Sequence, residues 1–316
     1  MRPAAVSQKA APILAGRMRH TTMPPGEVPP TISVIIACYN AAQTIGEQLE
    51  SLADQAFDEP WELIIADNGS TDDSKDVVER YRPRFHALRL IDASAVRGAS
   101  HARNVAAAAA HAPHLAFCDA DDVVAEGWLH AVSRAVNQHG FVASRFEGER
   151  LNPPEVLRVR SCPQQDGLMT FKYAPFLPFA GACGMAVRTS LFDALGGFDE
   201  ELVNGEDIDF CWRAQLDGTE LHFAEDAVVH IRLRSEPREV VRQAEAYGFW
   251  TVPLYARYRR LGMPSVPWYV GASKWLRLLV RMPRLARRSS RTKWLREFAY
   301  RRGLLKGSIR YRTLAL

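Results

Sequence analysis

The sequence predicts an α/β fold with a central, mostly parallel sheet and a basic helical extension at the C-terminal end. Between Thr31 and about Gly140, short β-branched runs alternate with longer helical stretches, which is typical of repeated β-α units. Polar residues follow several of these runs, and open α/β sheets bind ligands at the carboxyl ends of their strands. Beyond residue 231 the composition turns to Arg and Trp with amphipathic spacing, which favours helices of a different kind.

The predicted elements follow the chain in a regular order. The first strand is Ile32–Ala37, and a helix from about Ala42 to Ala56 comes after it. The later elements are a strand at 62–67, a helix at 73–81, a strand at 88–91, a helix at 99–110, a strand that ends at 119, a strand at 181–187, a helix at 207–216 and a strand at 227–231. Residues 141–180 have weaker periodicity and many prolines, so irregular connections and hairpin strands are expected there.

Length and composition limit the class of protein. A chain of 316 residues can bury one core of roughly 200–250 residues plus an appendage. We expect a sheet domain over 31–232 and a basic amphipathic helical tail over 233–316. Residues 1–30 contain six prolines and no apolar run of the length of a secretory signal, which predicts a disordered leader. The five cysteines lack C-x-x-C spacing and indicate reduced thiols in a cytosolic protein.

Charge is divided unevenly along the chain. Residues 231–316 hold 21 Lys and Arg against four Glu, whereas the rest of the chain is acidic. Four arginines of the tail, Arg277, Arg281, Arg284 and Arg288, fall on one helical face, and Pro283 would kink or end such a helix. These charges interrupt the apolar residues, so a spanning helix is not expected. The tail is predicted to bind an anionic membrane surface; a solvated or partner-packed helix and nucleic-acid binding are the alternatives.

An acidic cluster follows the predicted strand that ends at Asp119. Asp119, Asp121 and Asp122 place three carboxylates within four residues, which is costly unless a cation lies there. Mg²⁺ and Mn²⁺ bind such oxygens and take their remaining ligands from water and phosphates. The cluster therefore predicts a metal-diphosphate site. The alternative is a plain turn in which Asp121 or Asp122 caps a helix through 127–129.

Two other strand ends carry polar residues of the kind that bind a nucleotide. Tyr39 follows the first strand and offers a ring for stacking on a base, and Asp67 ends the second strand with a carboxylate that can accept base N–H groups. The sequence 67–72 also fits an ordinary turn that leads into the next helix. Gly98 opens a later helix, from which Arg103 can reach an anion or a carboxylate.

The order of these signals resembles the family 2 glycosyltransferases, which have a GT-A type fold. The shared motifs are Tyr39-Asn40, the turn 67–72, the segment 98–104, the Asp-x-Asp of 119–121, Glu206-Asp207 and His230. The resemblance covers about residues 31–232. The chain departs from the family pattern at Ala37, where proline is usual, and at Asn68, where a second aspartate is usual, so base preference stays open.

The resemblance implies a role for each matching donor-side residue. Tyr39 and Asp67 would contact the base, Arg103 the nucleotide or its diphosphate, and Asp119 the ribose or the metal. Asp121 would be the direct ligand of Mn²⁺ or Mg²⁺.

The remaining implied roles concern the second metal ligand and the acceptor side. His230 would add the second protein ligand of the metal. Asp207 would be the general base, with Glu206 positioning the base or the acceptor. Both acids also suit the first turn of a helix, because negative charge is favourable there. Trp212 and Arg213 on the same helix would face the acceptor or the diphosphate.

The expected function is therefore sugar transfer with inversion from a UDP- or dTDP-linked donor to a glycan or lipid-linked acceptor. We expect a role in cell-envelope polysaccharide synthesis, at the inner face of the plasma membrane, by a cytoplasmic peripheral protein without nucleic-acid partners. One alternative is a nucleotidyltransferase, which generally needs a Gly-rich basic loop after the first strand; the sequence 38–42 has neither feature. The other alternative is a membrane- or nucleic-acid-binding module whose sheet is inert.

Overall fold

The computed structural model describes residues 28–172, 174–282 and 288–315. The predicted leader lies almost wholly outside these residues, and so does Arg284 of the predicted basic face. For Arg288 only the backbone is described. These three predictions therefore stay untested.

One mixed sheet of eight strands forms the centre of the described chain. The strands are β1 (Ile32–Cys38), β2 (Trp61–Asp67), β3 (Leu88–Asp92), β4 (His114–Asp119), β5 (Val123–Val124), β6 (Phe141–Glu147), β7 (Met185–Arg188) and β8 (His222–His230). Their order across the sheet is β3-β2-β1-β4-β7-β6-β8-β5. The predicted α/β class is confirmed, although the parallel part is limited to β3-β2-β1-β4 and the β6-β8 pair.

The parallel half of the sheet brings the predicted ligand-binding residues to one edge. Cys38 pairs with Asp67 across β1 and β2, and Ala37 pairs with Asp119 across β1 and β4. The apolar residues of β1 and β2 are buried on both faces, as helices cover both sides of a parallel sheet. The carboxyl ends of three strands therefore open together on one side of the molecule.

Ten helices are described. They are α1 (Ile45–Ala53), α2 (Ser74–Tyr81), α3 (Ala99–Ala109), α4 (Trp128–His139), α5 (Pro154–Val159), α6 (Thr189–Ala194), α7 (Glu206–Leu216), α8 (Pro237–Arg259), α9 (Trp268–Val280) and α10 (Arg288–Arg310). Each helix predicted before residue 217 is present within a few residues of its expected bounds.

The middle of the chain differs most from expectation. Residues 141–180 were expected to be irregular with hairpin strands, but β6 lies inside the sheet between β7 and β8. The predicted strand at 181–187 is shorter and begins at Met185, whereas β8 begins at His222, five residues earlier than predicted. β6 and β8 pair in parallel over a long sequence separation, and such pairing leaves no local pattern to detect.

Beyond the sheet, the basic tail consists of α8, α9 and α10. α8 packs on the sheet domain through Tyr258, whose hydroxyl donates to the Asp209 carboxylate at 2.8 Å and whose ring meets Trp212. α9 ends at Val280, with Arg281 as its C-cap, and Pro283 lies outside the described residues. Of the described helices, none combines the length and the apolar content that crossing a bilayer needs.

Glycines allow α8 and α10 to cross at very short distance. A Cβ atom on Gly303 would lie 2.0 Å from the Glu245 carbonyl oxygen, and one on Gly248 would lie 2.0 Å from the Tyr300 carbonyl oxygen. Since side chains cannot fit there, the two backbones are in direct contact. A glycine inside a helix lowers the stability of that helix by about 1 kcal/mol relative to alanine. The close packing of α8 against α10 outweighs this cost.

We expect Gly303→Ala to destabilise the fold by about 1–3 kcal/mol, because the new methyl group forces the two helices apart. Gly46→Ala in α1 is the matched control, since its Cβ would meet nothing nearer than 3.7 Å. This control should be neutral or stabilising by up to about 1 kcal/mol. Urea unfolding of both variants measures the difference, and equal stabilities would contradict the close crossing.

Candidate active site

The loops after β1 and β2 are joined by hydrogen bonds. The Asn40 side chain accepts the Thr71 N–H at 2.8 Å, and the Asn40 N–H donates to the Ser70 hydroxyl at 3.0 Å. Asn40 has φ of 49°, in the left-handed region that asparagine tolerates better than most residues. The Tyr-Asn pair therefore fixes one loop against the other, and this was not evident from either motif alone.

Asp67 and Asn68 shape the turn that follows β2. Asp67 is 5% exposed, and its carboxylate accepts the N–H groups of Gly69 and Ser70 at 3.2 Å. The turn interpretation of 67–72 is thus confirmed, and it leaves the base contact as a proposal. The Asn68 amide donates to the Ala93 and Val96 carbonyls, which an aspartate cannot do. This explains the departure from the family pattern at position 68.

Tyr39 is available to a ligand. Its side chain is 45% exposed, and the Arg97 guanidinium lies 4.5 Å from the centre of its ring. Together they form an aromatic and cationic surface beside the strand ends. Arg97 carried no signal in the sequence because its loop has no periodic pattern.

Arg103 joins the two acidic parts of the site. Its guanidinium donates to Asp119 at 2.7 Å and to Glu206 at 3.0 Å, and the side chain is 6% exposed. Although burial opposes its charge, the two carboxylates raise the pKa of Arg103, so it stays cationic. Of the two ligands expected for Arg103, an anion or a carboxylate, the structure contains the carboxylate. Its direct contact with the nucleotide or diphosphate stays a prediction, and the two ion pairs give Arg103 a positioning role between the acids.

Glu206 and Asp207 open α7 beside this arginine. Gly205 precedes them with φ of 86°, which turns the chain into the helix. Burial raises the pKa of Asp207 to about 7, and the neighbouring Glu206 adds to the shift. Burial also raises the pKa of Glu206, against the opposing charge of Arg103. Both acids lie in the first turn of α7, so the prediction that they begin a helix is confirmed. This position is compatible with a role of Asp207 as general base.

The acidic loop after β4 does not cap a helix. α4 begins at Trp128 with Gly127 at its N-cap, so the capping alternative for Asp121 and Asp122 is wrong. The Asp122 carboxylate accepts the Arg232 N–H at 2.8 Å. Burial and the charge of Asp119 raise the pKa of Asp121 and raise that of Asp122 further. The ionised carboxylates repel one another strongly, and a bound cation would relieve this repulsion.

Side chains near this loop converge on a possible metal position. In 28–172, 174–282 and 288–315, one group of at least three metal-ligating side chains has its ligand atoms within 4.8 Å of one another, and it consists of Asp119, Asp122 and Cys183. Burial raises the pKa of the Cys183 thiol, which therefore stays protonated and is a poor ligand for hard cations. Asp121 and His230, the predicted metal ligands, are not part of this group.

His230 lies beside the acidic loop at the end of β8. Its backbone pairs with Val123 in β5, and its Nδ1 atom bonds to the Glu147 carboxylate at the end of β6. Metal-binding histidines typically direct their second ring nitrogen to a carboxylate, which fixes the ring. Glu147 had no signal in the sequence, since only the β6-β8 register brings it to His230.

The two predicted acceptor contacts are corrected. Trp212 is fully buried among aromatic side chains and donates its indole N–H to the Leu177 carbonyl at 2.8 Å. Arg213 bonds to the Asp209 carboxylate and to the carbonyls of Leu195 and Gly197. These donors stabilise the turn before α7, so both residues support the core and neither faces an acceptor.

Comparisons with known proteins agree with this geometry. The family model described as glycosyl transferase family 2 matches residues 33–196. The pre-mycofactocin glycosyltransferase of Mycobacterium tuberculosis is 26% identical over 267 residues, which cover 80% of this chain and 54% of that protein. A putative teichuronic acid biosynthesis glycosyltransferase, TuaG of Bacillus subtilis, is 38% identical over 96 residues, covering 29% of this chain and 36% of that one. The chain thus spans about half the length of the first of these relatives.

A solved structure has the same fold. The mannosyltransferase PcManGT from Pyrobaculum calidifontis, in complex with GDP-Man and Mn²⁺, superposes with a TM-score of 0.62 at 20% identity. The match covers 89% of this chain and 87% of that one. The predicted GT-A type fold is therefore confirmed. Nucleotide sugar and manganese are ligands of that neighbour.

Proposed function

Since the chain belongs to glycosyl transferase family 2, we propose that it moves a sugar, with inversion, from a UDP- or dTDP-linked donor to a glycan or lipid-linked acceptor. The observation that carries this proposal is the Arg103 bridge between Asp119 on β4 and Glu206 on α7. The bridge connects the strand ends at which the nucleotide is proposed to bind with the acidic residues of α7, one of which is the proposed general base. A role in cell-envelope polysaccharide synthesis is supported by the similarity to TuaG.

Asp207 is the proposed base. It takes the proton of the acceptor hydroxyl while that oxygen bonds to the anomeric carbon. The bond from the anomeric carbon to the diphosphate oxygen breaks on the opposite face, and its electron pair leaves with the nucleoside diphosphate. A pKa of about 7 makes Asp207 a competent base near neutral pH. Glu206, fixed by Arg103, positions the base.

The residues present fit Mn²⁺ or Mg²⁺. Asp119 and Asp122 converge, Asp121 follows Asp119 on the same loop, and His230 is oriented by Glu147. Asp121 and His230 are the proposed direct ligands. When bound, a divalent cation neutralises the charge of the departing diphosphate.

Nucleotidyl transfer is a weaker candidate. It needs free backbone N–H groups after β1 to hold a triphosphate. Here the N–H groups of Asn40, Ala41 and Ala42 donate to Ser70, Ser74 and Asp72, respectively. They are therefore not available to a phosphate group.

Arg160 is a candidate contact for a phosphate-bearing, lipid-linked acceptor. It is half-buried after α5 and donates to the Gln243 side chain at 2.8 Å, and Gln243 donates to the Tyr247 hydroxyl at 3.1 Å. A lipid-linked acceptor agrees with the proposed position at the inner face of the plasma membrane.

Thermal unfolding with UDP, dTDP and GDP, each with and without Mn²⁺, tests the donor part of the proposal. We expect one nucleotide with Mn²⁺ at a hundred times its Kd to stabilise the protein by about 2.7 kcal/mol. Asp121→Ala should abolish most of the manganese-dependent stabilisation while retaining the fold. Asp58→Ala, an exposed aspartate on the loop before β2, is the control and should respond like the native protein. If Asp121→Ala keeps the full manganese effect, the metal assignment fails.

A further inference from the structure

α9 presents an apolar face to solvent. Among the described residues, six of the 16 large exposed hydrophobic side chains lie between positions 268 and 282. They are Trp268, Tyr269, Leu276, Leu279, Val280 and Met282, with exposed fractions of 77, 60, 62, 62, 70 and 48%. Apart from Met282, which follows the helix, they lie within an arc of about 120° around the helix axis. A contiguous exposed apolar face of this kind marks an interaction surface.

This face is not a consequence of loose packing, because the opposite face of α9 is fixed to α10. Leu278 is buried, and its carbonyl accepts the Trp294 indole N–H at 2.8 Å. Trp275 packs edge-on against Phe298 with ring centres 6.0 Å apart. Arg277 is paired with Glu297. The helix is therefore held in one orientation with its apolar face outward.

The charge beside this face identifies the occupant. Arg277 borders the apolar arc, about 60° beyond Val280 around the helix axis, and the segment 231–316 to which α9 belongs has 21 basic and four acidic residues. A helix of 13 residues is about 20 Å long, too short to cross a hydrocarbon core of about 30 Å. An apolar face with basic flanks and aromatic residues at one end suits a helix that lies in the interface of an anionic bilayer.

We propose that the exposed face of α9 (Trp268, Tyr269, Leu276, Leu279 and Val280) inserts into the headgroup region of an anionic phospholipid bilayer and docks the enzyme there. The apolar side chains enter the boundary between headgroups and acyl chains, while the net positive charge of the segment 231–316 attracts the anionic headgroups. This docking gives the proposed membrane position a defined surface. It stands on α9 and does not depend on the transfer chemistry.

Vesicle sedimentation tests the docking surface. The native full-length protein should bind vesicles of phosphatidylcholine mixed with phosphatidylglycerol, and much less those of phosphatidylcholine alone, with binding that weakens as salt increases. Leu276→Gln/Leu279→Gln should reduce the partition coefficient at least about tenfold, because two apolar side chains lose their burial in lipid. Val28→Gln/Leu216→Gln, which changes two exposed apolar residues outside the basic tail, is the matched control and should bind like the native protein.

The outcomes separate docking from other uses of the face. Equal vesicle binding by Leu276→Gln/Leu279→Gln and native protein would overturn the proposal, as would a lack of binding by the native protein. A dimer in sedimentation equilibrium that the same two substitutions abolish, without vesicle binding, would assign the face to a second copy. Salt-sensitive binding to duplex DNA in place of vesicles would assign the tail to nucleic acid. Donor hydrolysis with Mn²⁺ should be unchanged in the variant, so failure of docking and failure of the proposed catalysis are distinguishable.

Discussion

Asp207→Asn should reduce sugar transfer by about 10²–10⁴-fold, since a general base contributes rate enhancement of this size and an amide cannot accept the acceptor proton. Asparagine keeps the shape of the side chain, so the fold should be retained. Asp217→Asn, at the exposed C-terminal end of α7, is the matched control and should transfer at the native rate. Turnover of Asp207→Asn within about threefold of native would exclude Asp207 as the base.

The pH dependence provides a second measurement on the same residue. For the native enzyme, kcat/KM should rise with pH through about 7 as Asp207 loses its proton, and the remaining activity of Asp207→Asn should lack this step.

The stability of the native fold should fall over the same pH range in which kcat/KM rises. Because the folded pKa of Asp207 is raised from 3.8 to about 7, its ionisation costs the native fold stability between these pH values. The Tm of Asp207→Asn relative to native should therefore increase from pH 4 to pH 7 and level off above. A difference in Tm that is constant with pH would show that Asp207 titrates normally.

Arg103→Met should have the largest effect on stability, about 3–5 kcal/mol at pH 7, because it leaves two partly buried carboxylates without a cation. Asp119 and Glu206 have side chains 34% and 13% exposed, and Arg103 is their shared partner. Urea unfolding measures the loss. The deficit should be smaller at pH 5, because burial raises the pKa of Glu206, and without Arg103 this carboxyl group takes up a proton more readily as the pH falls.

An exposed ion pair is the control for Arg103. Arg134 and Asp226 have side chains 61% and 76% exposed, so Arg134→Met should cost less than about 1 kcal/mol. If Arg103→Met costs no more than Arg134→Met, the bridge does not hold the site together. Arg103→Lys keeps the charge but loses the two-pronged geometry, and we expect it to recover only part of the stability.

Much of the site was predictable because its residues sit in local patterns. Asp67 and Asp119 end parallel strands and Tyr39 directly follows one, and neighbouring parallel strands end at the same edge whatever the rest of the fold does. Glu206 and Asp207 begin a helix whose apolar spacing is plain in the sequence. These features depend on residues that are close along the chain.

Other features were missed or wrong because they depend on distant parts of the chain. The family resemblance implied that Trp212 and Arg213 face the acceptor or the diphosphate. The packing of α8 on α7 instead buries Trp212, and the turn at 195–197 occupies Arg213. A side chain's exposure is a property of everything packed against it, which no local pattern contains.

The sequence alone determined the α/β class, the strand ends that carry the acids, the helix that begins at the Glu-Asp pair and the charge of the tail. Only the tertiary structure decided that Arg103 bridges Asp119 and Glu206, that Glu147 orients His230, and that α9 faces outward. The physical reason is the range of the interactions involved. Backbone propensity and periodicity act over a few residues, whereas ion pairs, register and burial join distant segments, such as Arg103 and Glu206, which are 103 residues apart.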